Sequence, residues 1–117
     1  MTSFSQLRQR RHRAWLAALR LQLDELLAAT PEERPDQIYL FGSRARGDWD
    51  GLSDIDLLVV ASSQSAAEQW VNLLLDRGLA QDVIGLDREA WMQLPTHPSP
   101  IWRGVAHDAQ PLLEERQ

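Results

Sequence analysis

Ile38-Tyr39-Leu40-Phe41-Gly42-Ser43-Arg44-Ala45-Arg46-Gly47-Asp48-Trp49-Asp50-Gly51-Leu52-Ser53-Asp54-Ile55-Asp56-Leu57-Leu58-Val59-Val60 is the stretch on which the reading of this chain turns. Two apolar runs flank a polar loop rich in glycine, arginine and aspartate. In the first run Tyr39 and Phe41 share one face, with Ile38 and Leu40 on the other. This predicts a strand over 37–41 covered on both sides. The second run, Asp54 to Val60, is apolar from Leu57 onward and predicts another buried strand. Gly42 and Ser43 follow the first strand directly. A glycine there lets the backbone come close to a ligand, and the amides after it can face an anion, so the pair suits phosphate. Asp54 and Asp56 open the second strand at i and i+2, which sends both carboxylates from one face, roughly 7 Å apart. That spacing suits a hard metal ion.

Each half of this pattern has a plainer reading. Most Gly-Ser pairs are simple turns, and an Asp-x-Asp can decorate a strand with one wet face. The unbroken apolar run from Leu57 to Val60 argues against a wet strand. Other phosphate loops do not fit. A Walker loop ends in Gly-Lys-Ser/Thr, whereas Gly47 is followed by Asp48, and the dinucleotide fingerprint requires glycine where Arg44 stands.

Outward from this centre, Leu16, Leu19, Leu23 and Leu26, flanked by Trp15 and Leu27, recur at helical spacing and predict a helix over 5–29. Thr30-Pro31 ends it, and Glu32 to Asp36 form a charged connector. Downstream, Ser62 to Ser65 read as a turn and cap. The helix that follows has Ala67, Trp70, Val71 and Leu74 on one face and stops at Gly78. Leu79 to Leu86 is the third predicted strand. Asp87 caps a short helix to Leu94, Pro95 to Pro100 is a loop, 101–107 is helical, and 111–113 is a short edge strand. If the end of the first strand is to meet the start of the second, the two are antiparallel. The helical crossover makes the second and third strands parallel, which brings Asp82 beside Asp54 and Asp56. The expected class is α+β, a small mixed sheet packed against helices in αββαβα order. One domain is expected over 1–117, with a core over 37–86 and C-terminal helices over 87–117.

Composition narrows the function. A chain of 117 residues, 44% of them hydrophobic, supports one modest core. It has no cysteine, so disulfides and thiolate metal sites are out and a cytoplasmic location is the default expectation. All twelve basic residues are arginine, which excludes Schiff-base and P-loop lysine chemistry. The net charge of −5 is uneven: residues 1–23 hold five arginines and no carboxylate, so the remainder, with seven arginines against seventeen carboxylates, carries −10. An acidic body argues against nucleic acid as a partner. The basic arm reads as a solvated helix face or as a contact for an acidic partner. No run approaches the roughly 18 apolar residues of a membrane span, so no membrane association is expected. His12, His97 and His107 lack metal spacing. Trp70 and Trp91 read as core, and Trp49, in the polar loop, is the candidate for stacking on a base.

Gly42-Ser43-Arg44-Ala45-Arg46-Gly47 followed by Ser53-Asp54-Ile55-Asp56-Leu57 resembles the signature of the DNA polymerase β-like nucleotidyltransferase superfamily, and in particular its minimal nucleotidyltransferases. The likeness is strong over about 38–86 and rests on length and order elsewhere. It implies a polymerase β-like fold with Asp54, Asp56 and Asp82 as catalytic carboxylates and metal ligands, Asp82 being the acid that activates the acceptor hydroxyl. Gly42 and Ser43 would hold the triphosphate, and Arg44 and Arg46 would neutralise it. The implied cofactor is one magnesium ion or a pair, with ATP or another nucleoside triphosphate as substrate. The implied reaction moves a nucleoside monophosphate, AMP from ATP, onto an acceptor hydroxyl. Members this small lack a helical acceptor domain, which implies a helical HEPN-type partner protein or a homo-oligomer, and an antitoxin role in a toxin-antitoxin pair. The alternative is a non-catalytic module that neutralises a partner by docking.

Overall fold

A computed structural model of the chain describes residues 3–31, 33–46 and 54–114. Gly47, Asp48, Trp49 and Ser53 of the central loop, and Glu32 of the connector, lie outside the described residues. The chain divides into two compact units, 1–32 and 33–117.

The first unit is the helix α1 (Phe4–Ala29). Ser3 caps it reciprocally: the Gln6 amide donates to Ser3 Oγ (3.1 Å) and the Ser3 amide donates to Gln6 Oε1 (3.0 Å), which satisfies two amides of the open first turn. Leu16, Leu19, Leu23, Leu26 and Leu27 are its buried residues, at the spacing expected of one apolar stripe. The helix stops before Pro31, and the Thr30 hydroxyl donates back to the Leu26 carbonyl (2.6 Å).

The second unit is built on a four-stranded sheet. Its elements in chain order are β1 (Gln37–Phe41), α2 (Ser43–Arg46), β2 (Asp56–Ala61), α3 (Gln64–Asp76), β3 (Asp82–Asp87), α4 (Arg88–Gln93), a 3-10 turn (Leu94–Thr96), α5 (Pro100–Asp108) and β4 (Gln110–Pro111). Strand order is β3-β2-β1-β4. β1 is antiparallel to β2 and β4, and β2 is parallel to β3. The mixed sheet and the α+β class are those expected, and the single helical turn that residues 43–46 allow in sequence is α2.

Alternation decides which helices cover which face. Leu58 and Val60, with Tyr39, Phe41, Ile84 and Leu86, pack against Trp91, Leu94, Trp102, Val105 and Ala106. Tyr39 and Trp91 stack with ring centroids 4.3 Å apart. The opposite face presents Ile38, Leu40, Leu57 and Val59, all fully buried. There α3 lies against β2 and β3, so closely at Gly85 that an added Cβ would stand 2.9 Å from Val71 Cγ2 and 3.2 Å from the Ala67 carbonyl carbon.

Two boundaries differ from expectation for local reasons. β3 starts at Asp82 rather than Leu79, because the end of α3 uses the intervening residues. Gly78 takes φ +67°, and the amides of Gly78 and Leu79 donate to the carbonyls of Leu75 and Leu74 (3.0 and 3.1 Å), closing the last turn. The edge strand falls at 110–111 rather than 111–113. Beyond it the buried Gln37 side chain substitutes for a strand: its Nε2 donates to the Leu113 carbonyl (3.1 Å) and its Oε1 accepts from the amides of Leu113 (2.8 Å) and Ile38 (3.0 Å).

Candidate active site

Sheet register brings the two halves of the central stretch to one end of the sheet. β1 runs out into Gly42 where β2 begins, with Phe41 opposite Asp56. Gly42 has φ +77°, a conformation that side chains other than glycine rarely adopt. A Cβ placed on Gly42 would stand 2.7 Å from Asp56 Oδ2. The backbone therefore passes close to the carboxylate, and the positive φ favours glycine there. Immediately afterwards the amides of Ala45 and Arg46 donate to the Gly42 carbonyl (3.1 and 3.2 Å), winding 43–46 into one helical turn.

Asp82 sits opposite Asp56 in the parallel β2–β3 register. Burial, first of all, then the neighbouring Asp82 charge, a hydrogen bond shared with Asp82 and the charge of Asp54 push the Asp56 carboxyl above the ordinary aspartate range. Like charges this close form a pair that a positive charge would relieve.

Asp54 is placed differently from the sequence expectation. β2 begins at Asp56, and Asp54 is an exposed residue ahead of the strand. Ile55, between Asp54 and the strand, is held by the β3 side. Its amide donates to Gln81 Oε1 (2.6 Å), and its carbonyl accepts from the amides of Gln81 (3.1 Å) and Asp82 (3.3 Å). Gln81 thus clamps the entry of β2 beside Asp82, a role that an exposed polar residue after a helix does not signal in sequence. Among the described residues, no group of three or more histidine, cysteine, aspartate or glutamate side chains is arranged to hold a metal ion.

The two loop arginines separate. Arg44 is buried, at 8% exposure, and makes interactions of its own within the protein. Arg46 is half-exposed and its Nη1 donates to Asp108 Oδ2 at 2.7 Å. Asp108, which the sequence reading passed over, closes α5 two residues before Gln110, the partner of Leu40. The fourth strand thereby brings a further carboxylate to the sheet end that holds Gly42 and Asp56. The hydrogen bond from Arg46, opposed by burial and supported by His107, holds the Asp108 carboxyl below its usual range. The other histidines have local roles: His97 Nδ1 accepts from the Ser99 amide (2.9 Å), and His12 stacks on Trp15.

The chain matches no curated protein. A 1.40 Å crystal structure of a candidate nucleotidyltransferase from Sulfolobus solfataricus is similar to it at 24% identity and a TM-score of 0.48, over 74% of this chain and 78% of that one. The family described as "Polymerase beta, Nucleotidyltransferase" matches residues 22–90, more than half of the 117. This span takes in β1, the Gly42-Ser43 turn, Asp54, Asp56 and Asp82. The chain belongs to the polymerase beta nucleotidyltransferase family.

Proposed function

We propose that this protein is a magnesium-dependent nucleotidyltransferase that moves a nucleoside monophosphate, AMP from ATP, onto a hydroxyl of a partner protein. In this reading it is the antitoxin member of a pair with a helical HEPN-type toxin, with a second copy of the chain as the other source of the acceptor surface. The observation that carries it is the close approach of Gly42 to Asp56. The turn assigned to the triphosphate runs beside the carboxylate assigned to the metal, so near that a Cβ on Gly42 would stand 2.7 Å from Asp56 Oδ2, as groups that serve one ligand require.

The donor set fits magnesium. Carboxylate oxygens are the hard ligands it selects, and two carboxylates with water and phosphate oxygens complete its octahedron. Asp56 and Asp82 would hold it, with Asp54 joining from the loop side. When bound, magnesium supplies charge neutralisation for the attacking oxygen and the pyrophosphate leaving group. The chain's own residues do the rest. Gly42 and Ser43 seat the phosphates at the turn, Arg44 and Arg46 add positive charge there, and Asp82 accepts the proton of the acceptor hydroxyl.

A docking module without catalysis is the second reading, favoured by one observation: the three aspartates do not stand in a three-donor arrangement. Calorimetric titration of ATP tests the enzyme reading. Binding should be at least about tenfold tighter with magnesium than with a chelator present, a difference of about 1.4 kcal/mol. Equal affinity in both buffers, or no binding at millimolar ATP with magnesium, would contradict it.

A further inference from the structure

We infer that Asp108 is a built-in restraint on nucleotide binding, holding the Arg46 guanidinium until a triphosphate displaces it. The inference deepens the nucleotidyltransferase reading and rests on its assignment of Arg46 to the phosphates. Arg46 stands on the turn that starts at Gly42, yet its Nη1 reaches 62 residues along the chain to Asp108 Oδ2 at 2.7 Å. The two side chains are unequally covered, Arg46 at 48% exposure and Asp108 at 20%. The carboxylate is therefore the more fixed partner, anchored at the end of α5 where β4 joins β1. Arg46 is the more exposed of the two, and it makes a further interaction within the protein besides the one with Asp108. His107 Nδ1 lies 3.4 Å from the other Asp108 oxygen, in contact with the same carboxylate.

Charge decides the sign. Asp108 occupies a donor that a triphosphate would use, and it also puts a negative charge at the sheet end where phosphates would sit. Both effects oppose triphosphate binding, so neutralising Asp108 should strengthen it. An ion pair this exposed contributes at most about 1 kcal/mol, which sets the expected effect at up to about fivefold. A triphosphate carries enough charge to overcome a pair of that size, so the restraint tunes affinity without blocking the site. It also ties nucleotide occupancy to the C-terminal end of α5, because displacement of Arg46 leaves Asp108 and His107 without their cationic neighbour.

The test is a double-mutant cycle read by calorimetric titration of ATP in the presence of magnesium, using the full chain as wild type, Asp108→Asn, Arg46→Gln and the double variant. Asp108→Asn should bind ATP about two- to fivefold more tightly, and Arg46→Gln more weakly than wild type. In the Arg46→Gln background the Asp108 substitution should gain clearly less, because the guanidinium it restrains is gone. An Asp108→Asn variant that binds as wild type or more weakly, or equal gains in both backgrounds, would overturn the restraint while leaving the nucleotidyltransferase reading standing. Wild-type protein that binds no ATP would remove that reading and the restraint with it. Thermal unfolding of all four proteins separates misfolding from these outcomes, and Asp108→Glu, which keeps the charge, should return the affinity toward wild type.

Discussion

At the scale of single residues, the site is defined by what Gly42 lacks and what Asp56 carries. Glycine at 42 serves two physical demands at once, a positive φ and the absence of a Cβ that would stand 2.7 Å from a carboxylate oxygen. Asp56 is half-buried between like charges and its carboxyl titrates above the ordinary range, for burial first and Asp82 second. The sign of its linkage to stability follows. A carboxyl whose folded pKa is raised stabilises the fold when protonated, below the unfolded value of about 3.9, and that contribution is lost as pH rises through the folded value. In metal-free buffer Asp56→Asn should match wild type in unfolding free energy near pH 3 and exceed it at pH 7. The gain should be no more than about 1 kcal/mol, since solvent screens a half-exposed group. Chemical denaturation at the two pH values checks this, and a variant less stable than wild type at pH 7 would show Asp56 to be a packing residue. The placement of Gly42, Asp56 and Asp82 at one sheet end was legible in sequence because a glycine after an apolar run and carboxylates at strand starts are local signals. Asp108 was not. Its meaning comes from a hydrogen bond across 62 residues and from a two-residue strand, which no window of sequence displays. Arg44 and Arg46 look alike in sequence, and only the winding of one turn buries the first and exposes the second.

At the scale of elements, strands β1 and β2 were readable because alternation and continuous apolarity declare coverage on both faces. The parallel pairing of β2 with β3 followed from the helical crossover between them, which is long enough to return the chain in the same direction. Element ends were less legible, because they depend on individual side chains acting at a distance. Gln81 ties the Ile55 backbone to the β3 side at the entry of β2, and Gln37 substitutes for an extended β4. The contact of α3 with β3 makes a separate prediction. Gly85 faces Val71 and Ala67 so closely that a methyl group meets a side chain at 2.9 Å and backbone at 3.2 Å. The side chain can rotate away, but the backbone cannot without moving α3. Gly85→Ala should therefore destabilise the protein by about 1–3 kcal/mol, as overpacking of a tight core does, measured by denaturant unfolding. A neutral or stabilising effect would mean that α3 does not rest on β3 in solution.

At the scale of the whole molecule, the chain joins a basic first helix to an acidic second unit whose sheet brings carboxylates together at one end. Family and fold could be read from a motif of Gly-Ser, ten residues and Asp-x-Asp, because strand geometry joins the two ends of that motif in any sheet of this topology. The acceptor of the proposed transfer could not be read, since it would depend on a surface outside the site residues. On the proposed reading Asp56 serves transfer of a nucleotide and not docking alone. The most direct measurement incubates wild type and Asp56→Asn with extract of the protein's own host cells, magnesium and ATP labelled either at the α- or at the γ-phosphate. Nucleotidyl transfer predicts that wild type labels a protein from α-labelled ATP and not from γ-labelled ATP. In Asp56→Asn that label should fall by at least about a hundredfold, a barrier increase of about 2.7 kcal/mol or more. Equal labelling by wild type and Asp56→Asn, or label carried only from the γ-phosphate, would contradict the account.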